Sequence, residues 1–147
     1  MLSQSYLELF KRDIPRIKKE IEAFSQEQLI WKVADGTSNS AGNLALHLSG
    51  NLQHFIGAVL GDSGYIRDRE FEFSGRVSRQ ELLAELDATL ISVITTLGSL
   101  TDTHMKEPYP ASPFDKEVTV EWFVSHLYGH LNYHLGQINY HRRMLDK

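Results

Sequence analysis

Apolar residues recur at spacings of three and four along four stretches of the chain, the pattern of helices with one buried face. The first stretch, residues 3–24, carries Tyr6, Leu9, Phe10, Ile14, Ile17, Ile21 and Phe24. Pro15 interrupts it, and an interior proline costs a helix about 3 kcal/mol. A kinked helix is therefore expected, with Asp13 placed to cap its second segment. Ser25-Gln26-Glu27-Gln28 fits a capping box ahead of a short turn through Leu29, Ile30 and Trp31. A second helix, capped by Ser38 or Ser40, takes in Ala41, Leu44, Leu48, Leu52, Phe55 and Val59 and stops near Gly61. Gly50 and Gly57 are unfavourable inside it and suit close approach by a neighbouring helix or a ligand. The third opens on Ser78-Arg79-Gln80-Glu81, a strict capping box, and runs through Leu82, Leu83, Leu86, Leu90, Val93, Ile94 and Leu97 to Gly98. The fourth begins at Val118 and buries Val120, Phe123, Leu127, Leu131, Ile138 and Leu145.

Between these stretches the periodicity lapses. Gly61 to Val77 is charged and aromatic without a helical repeat and reads as a connection. Thr101 to Glu117 holds Pro108, Pro110 and Pro113 and cannot form a long helix. Four amphipathic helices imply an all-α four-helix bundle, read as one domain over residues 1–147. The two central connections, about seventeen residues each, exceed the 2–8 residues usual between antiparallel neighbours. They permit crossovers and hence an up-down-down-up order.

Composition narrows the function. An apolar fraction of 41% and a charged fraction of 23% are those of an ordinary globular chain. The formal net charge of −4 and the lack of a basic stripe argue against nucleic acid as a partner. No apolar run approaches the roughly 18 residues of a membrane span, and the first residues show no secretory signal. The chain has no cysteine, so disulfides, thiolate ligands and cysteine nucleophiles are excluded. The cytoplasm is the expected compartment.

Histidine is what stands out. His126, His130 and His134 follow at i, i+4, i+8 on the fourth helix, with His141 seven residues later. All four imidazoles fall within an arc of roughly 80°. The adjoining apolar stripe points nearest to His134, then to His130, so this pair is the one expected to face the bundle interior. Two histidines one turn apart can hold one metal ion from a single helix face, with a third ligand from elsewhere. His47 stands beside the apolar side of the second helix, with Asn51 one turn on and His54 two. A solvated histidine-rich face is the alternative, and for any one of these histidines alone it is the better reading.

The His130-x-x-x-His134-x-Gly136-Gln137 run resembles the last helix of the DinB/YfiT-like superfamily. His47 to Leu52, HLSGNL, resembles the second-helix motif of a branch whose members are mainly of unknown function. The Leu29-Ile30-Trp31 segment fits as well, and the resemblance extends over nearly the whole chain. It implies a four-helix bundle in up-down-down-up order, often dimeric, with a divalent metal on three histidines. Carried over position by position, those ligands are His47, His130 and His134. His54, His126 and His141 match no ligand position and are expected to be nearby or exposed.

The resemblance leaves several reactions open. Relatives include S-transferases and isomerases that use low-molecular-weight thiols, and metal-dependent hydrolases. Zinc or nickel is the foremost cofactor, since three imidazoles suit several divalent ions. An open position on such an ion can activate water or hold a thiol as its thiolate. The expectation is thus a metal-dependent enzyme on a small molecule, with a non-catalytic binding or interaction protein as the alternative. A low-molecular-weight thiol is one expected partner and a second copy of the chain another. Gln137 and Asn51 are candidates to orient the ligands, and Tyr133 to edge the pocket. Trp31 and Trp122 are expected as core or pocket-wall aromatics, and Arg142-Arg143 as favouring the helix dipole only.

Overall fold

A computed structural model describes residues 1–147. Seven α-helices are formed: α1 (Leu2–Ala23), α2 (Glu27–Ile30), α3 (Ala41–Leu52), α4 (Arg69–Ser74), α5 (Arg79–Ser99), α6 (Asp102–Lys106) and α7 (Val120–Leu145). Four are long and make the bundle. Three of the four start on a side-chain cap: Ser40 and Ser78, both expected, and Thr119 accept the N–H of Asn43, Glu81 and Trp122.

Side-chain contacts give the helix order. Lys18 reaches Asp87 and the Arg79 guanidinium donates to the carbonyl of Phe24, so α1 and α5 run antiparallel. Tyr6 with Ser125, Asp13 with Asn132 and Glu20 with Arg142 pair in ascending order, so α1 and α7 are parallel. Ser49 meets Thr89 and Gly57 meets Ser92, so α3 and α5 are parallel too. His47 meets His130 and Phe55 meets Phe123, which makes α3 and α7 antiparallel. The order is up-down-down-up. Phe10, Ile14, Ile17, Ile21, Leu48, Leu52, Leu86, Val93, Phe123, Leu127 and Leu131 fill the common core.

Several local expectations give way to tertiary contacts. Helix α1 passes through Pro15 unbroken, anchored on either side by the buried Ile14 and Ile17. Asp13 is not a cap. It is fully buried, paired with Arg12 and Arg16 and bonded by Tyr128 and Asn132. Ser25 makes no capping box either; its N–H and hydroxyl both donate to Asp146, tying the end of α7 to the α1–α2 junction. Arg142 pairs with Glu20 at 2.7 Å, a role beyond the helix dipole. Helix α3 continues past Leu52 as a π-helical run, Gln53–Ala58, in which the Tyr109 hydroxyl donates to the carbonyl of Phe55 at 2.7 Å.

The two long connections also contain helices that periodicity missed, α4 and α6. The second is closed by a small antiparallel bridge between Pro108 and Thr119. Helix α5 is long and apolar enough by composition for a membrane span, contrary to the expectation from apolar runs. Here it packs against α1 and α3 and contributes Leu82, Leu86, Val93 and Leu97 to the core.

Candidate metal centre

His47 lies near the middle of α3, and His130 and His134 lie one turn apart on the facing, antiparallel α7. This arrangement brings three imidazoles to one point. The Nε2 atoms of His47 and His134 each lie 3.1 Å from the Nε2 of His130. One ring nitrogen of each residue lies within 4.8 Å of the other two, a group that could hold a metal ion. His47 is buried, His130 and His134 half-buried.

The far side of two rings fixes their tautomers. His47 Nδ1 lies 3.0 Å from Glu72 Oε1, and a carboxylate only accepts, so Nδ1 carries the proton. His134 Nδ1 donates to Gln137 Oε1 at 2.7 Å. Both rings therefore turn a bare Nε2 lone pair toward His130. A single hydrogen on His130 Nε2 satisfies only one of them, and a hydrogen on its Nδ1, which has no partner, satisfies neither. The cluster is short of positive charge at its centre, which a divalent cation supplies; the donor set fits such an ion. The surroundings of His130 and His134 favour the neutral ring that a ligand must present. Burial, then the neighbouring His134 and His47, pulls the pKa of His130 down to about 3. Burial lowers that of His134, against the opposing bond to Gln137.

Glu72 is the residue sequence reasoning missed. It sits on α4, whose Asp68 N-cap accepts the N–H of Phe71. Its side chain is buried among His47, Arg67 and Gly50. Arg67 clamps it through Nε to Oε2 at 2.8 Å and Nη2 to Oε1 at 2.9 Å. Burial favours the protonated acid, but the bonds from His47 and Arg67 and the charge of Arg67 outweigh it and hold the carboxyl below its usual range. Gly50 makes room, because a Cβ there would stand 1.9 Å from Glu72 Oε2. The glycine inside the second helix was the one signal in the sequence that something approaches closely at this level. Asn43 helps by donating to the carbonyls of Glu72 and Gly75, holding α4 against α3.

The remaining candidates divide. Gln137 bonds His134 through its Oε1. Asn51 bonds none of them, and its buried Oδ1 has no partner. Tyr133 is exposed, its ring centre 5.3 Å from that of His134. His126 is exposed and stacked on Trp122, itself partly exposed, while Trp31 packs against the core beneath Gly42. His54, half-buried beside Phe55, is away from the cluster. His141 is not exposed; only 5% of its surface is accessible.

An up-down-down-up helical bundle with a three-histidine cluster between α3 and α7 defines a recognisable class. Residues 9–138 match the family model of the DinB superfamily, and the chain belongs to that superfamily. In fold it is similar to a conserved protein from Enterococcus faecalis, with a TM-score of 0.78 at 16% sequence identity, over 97% of this chain and 96% of that one. No curated protein matches the sequence.

Proposed function

We propose that His47, His130 and His134 bind one divalent metal ion, zinc or nickel, and that the protein is a metal-dependent enzyme acting on a small molecule. The observation that carries this reading is the convergence of three Nε2 atoms, two of them bare by tautomer, where His130 can offer at most one proton between them. Once bound, the ion supplies a Lewis acid with coordination positions left over for substrate. The chain supplies orientation. Glu72 holds the His47 ring and raises its basicity, Gln137 holds His134, and Arg67 keeps Glu72 charged. Phe73, whose ring centre is 4.7 Å from that of His47, and Tyr133, 5.3 Å from His134, stand beside the cluster.

Thiol-dependent S-transfer is the favoured reaction and hydrolysis the second. The thiol in the first must be a cosubstrate, because the chain has no cysteine. The reading takes the cytoplasm as the compartment, where small thiols are kept reduced. It also includes a homodimer, supported by Trp122, Tyr133 and Tyr140, exposed along the outer side of α7.

The test is the metal content of protein purified without a histidine tag or added metal, beside a His130→Ala, His134→Ala variant. Near-stoichiometric metal in the wild type, lost in the variant, is expected, and thiol-transfer and hydrolase panels then follow. Metal absent from both after reconstitution with zinc and with nickel overturns the proposal. Tight metal binding with no turnover in either panel turns it into a non-catalytic binding protein.

A further inference from the structure

A cavity of about 390 Å³, within the range of small-molecule pockets, lies between α3, α5 and the crossover that joins them. None of the three clustered histidines lines it, so it is a separate place on the molecule. Its apolar side is made by Tyr65, Ile66 and Phe71 from the crossover. Ile66 is 89% exposed and Phe71 41%, so two large apolar side chains on this wall are left in contact with water. Gly75 admits the Phe71 ring, with which a Cβ at that position would collide.

The other side is acidic. Asp68, Glu81 and Glu85 line it, all three exposed, and no Lys, Arg or His does. None of the three enters an ion pair, whereas Glu72, also on the wall, is neutralised by Arg67. Asp68 caps α4, and Glu81 stands in the first turn of α5, where negative charge favours the helix. Glu85 has no such duty. It lies one turn beyond Glu81, a like-charge spacing that disfavours the helix. Gln53 Nε2 is 3.5 Å from its Oε2, and the same amide donates to the hydroxyl of the buried Ser49 at 3.0 Å. The Glu85 carboxylate is thereby kept within the span of one amide of Ser49, another residue of the wall. The half-buried Tyr65 phenol feels that charge: burial, then Glu72 and Glu85, raises its pKa above the ordinary value. A bare divalent ion does not suit this wall, because no three of its carboxylates converge as the histidines do. A carboxylate or phosphate would meet only like charge.

We propose that this cavity binds a small organic amine, its protonated nitrogen beside Glu85 and its apolar body against Tyr65, Ile66 and Phe71. The ammonium supplies the counter-charge that Glu85 lacks, and the hydrocarbon covers the two exposed apolar side chains. The aromatic faces of Tyr65 and Phe71 also favour a cation. The amine site shares only Glu72 with the surroundings of the histidine cluster, and binding there needs no metal.

The experiment titrates the full chain, ¹⁵N-labelled for backbone spectra, with phenethylamine. Its neutral and anionic counterparts, 2-phenylethanol and 3-phenylpropionate, test the need for the positive charge. Magnesium chloride supplies positive charge without an apolar body. Saturable shifts of residues 65–72 and 81–85 are expected with phenethylamine and with none of the other three. The affinity should fall about tenfold in Glu85→Gln, which removes a charge-assisted hydrogen bond. It should also fall in Ile66→Ser; both substitutions are at exposed positions, so the fold is kept. No saturable shift with phenethylamine, equal affinity for any of the other three probes, or an affinity unchanged in Glu85→Gln would each overturn the proposal. Since no arm of the titration involves zinc or nickel, failure of the metal reading would leave this result standing.

Discussion

Replacing Gly50 with alanine sets two physical effects against each other, and the structure decides the sign. Helix propensity alone favours Gly50→Ala by about 1 kcal/mol. The new methyl carbon, however, would stand 1.9 Å from Glu72 Oε2 and 2.5 Å from its Cδ. The carboxylate cannot step aside without loss, since Oε1 serves His47 and Arg67 and Oε2 serves Arg67. Forcing a methyl group into a packed site costs about 1–3 kcal/mol, so the net change is a loss of up to about 2 kcal/mol. For a chain of this length that lowers the melting temperature by a few degrees. The larger effect is expected at the proposed metal site. With Glu72 displaced, the His47 ring loses its fixed orientation, and loss of such a partner typically weakens metal binding about 10–100-fold. Melting of the chelated protein and zinc titration against a competing chromophoric chelator measure the two separately. Gly136→Ala is the control, because a Cβ there meets nothing within 4 Å; it should gain about 1 kcal/mol and leave zinc affinity unchanged. If Gly50→Ala rises in melting temperature like Gly136→Ala and keeps wild-type zinc affinity, the role given to Glu72 is wrong.

Three further outcomes follow from the same geometry. Glu72→Gln keeps the shape but removes the charge, so zinc affinity should fall about tenfold or more while the helical spectrum stays unchanged; isothermal titration gives the number. Metal-free protein should lose stability as pH falls. His130 titrates near 3 in the folded chain against 6.5 in the free residue, and His134 and His141 are lowered as well. The unfolded chain therefore binds protons that the folded one refuses: stability is full above about pH 6.5 and declines toward pH 3. Urea unfolding across that window should show the slope, and His130→Phe should flatten it; an unchanged slope in the variant counts against the assignment. Asp13→Asn should lower unfolding free energy by about 1–3 kcal/mol, read from urea midpoints, because the buried carboxylate accepts from Arg12, Tyr128 and Asn132.

What the sequence made legible was whatever depends on periodicity over a long stretch. The apolar spacing located α1, α3, α5 and α7, and the same projection singled out His130 and His134 on α7. Cap chemistry worked where a long helix follows, at Ser40 and Ser78. It failed at Ser25, where Asp146 from the far end of the chain competes for the same hydroxyl and wins. Asp13 misled for a related reason, while the helix expected across Pro15 is continuous. An aspartate that suits a cap is drawn inward by Arg12 and Tyr128. Helix α4 was invisible because six residues carry too few turns for a period to show, and with it went Glu72. Of the two places allowed for His141, near the cluster or exposed, the first holds; helical projection gives direction and no depth, and the turn of residues 36–39 that lies beside it belongs to a separate part of the chain.

The long connection between α3 and α5 is a consequence of topology that the site has put to use. Because these helices are parallel neighbours, the chain must return the full length of the first before starting the second. Ala41–Ala58 spans about 27 Å at 1.5 Å per residue, too far for a tight turn. The returning segment, residues 59–78, has to lie along the bundle surface, and it passes the level of His47. Asp68 nucleates α4 there, Asn43 holds it down, and Gly50 opens the gap into which Glu72 drops. An up-down-up-down bundle with short loops would supply the same three histidines from its helices but no crossover to carry Glu72 and Arg67. The partner that fixes the His47 tautomer, and so turns its bare Nε2 toward His130 and His134, is thus tied to the order of the helices. Shortening the 59–78 segment should abolish the cluster's geometry even where all three histidines are retained.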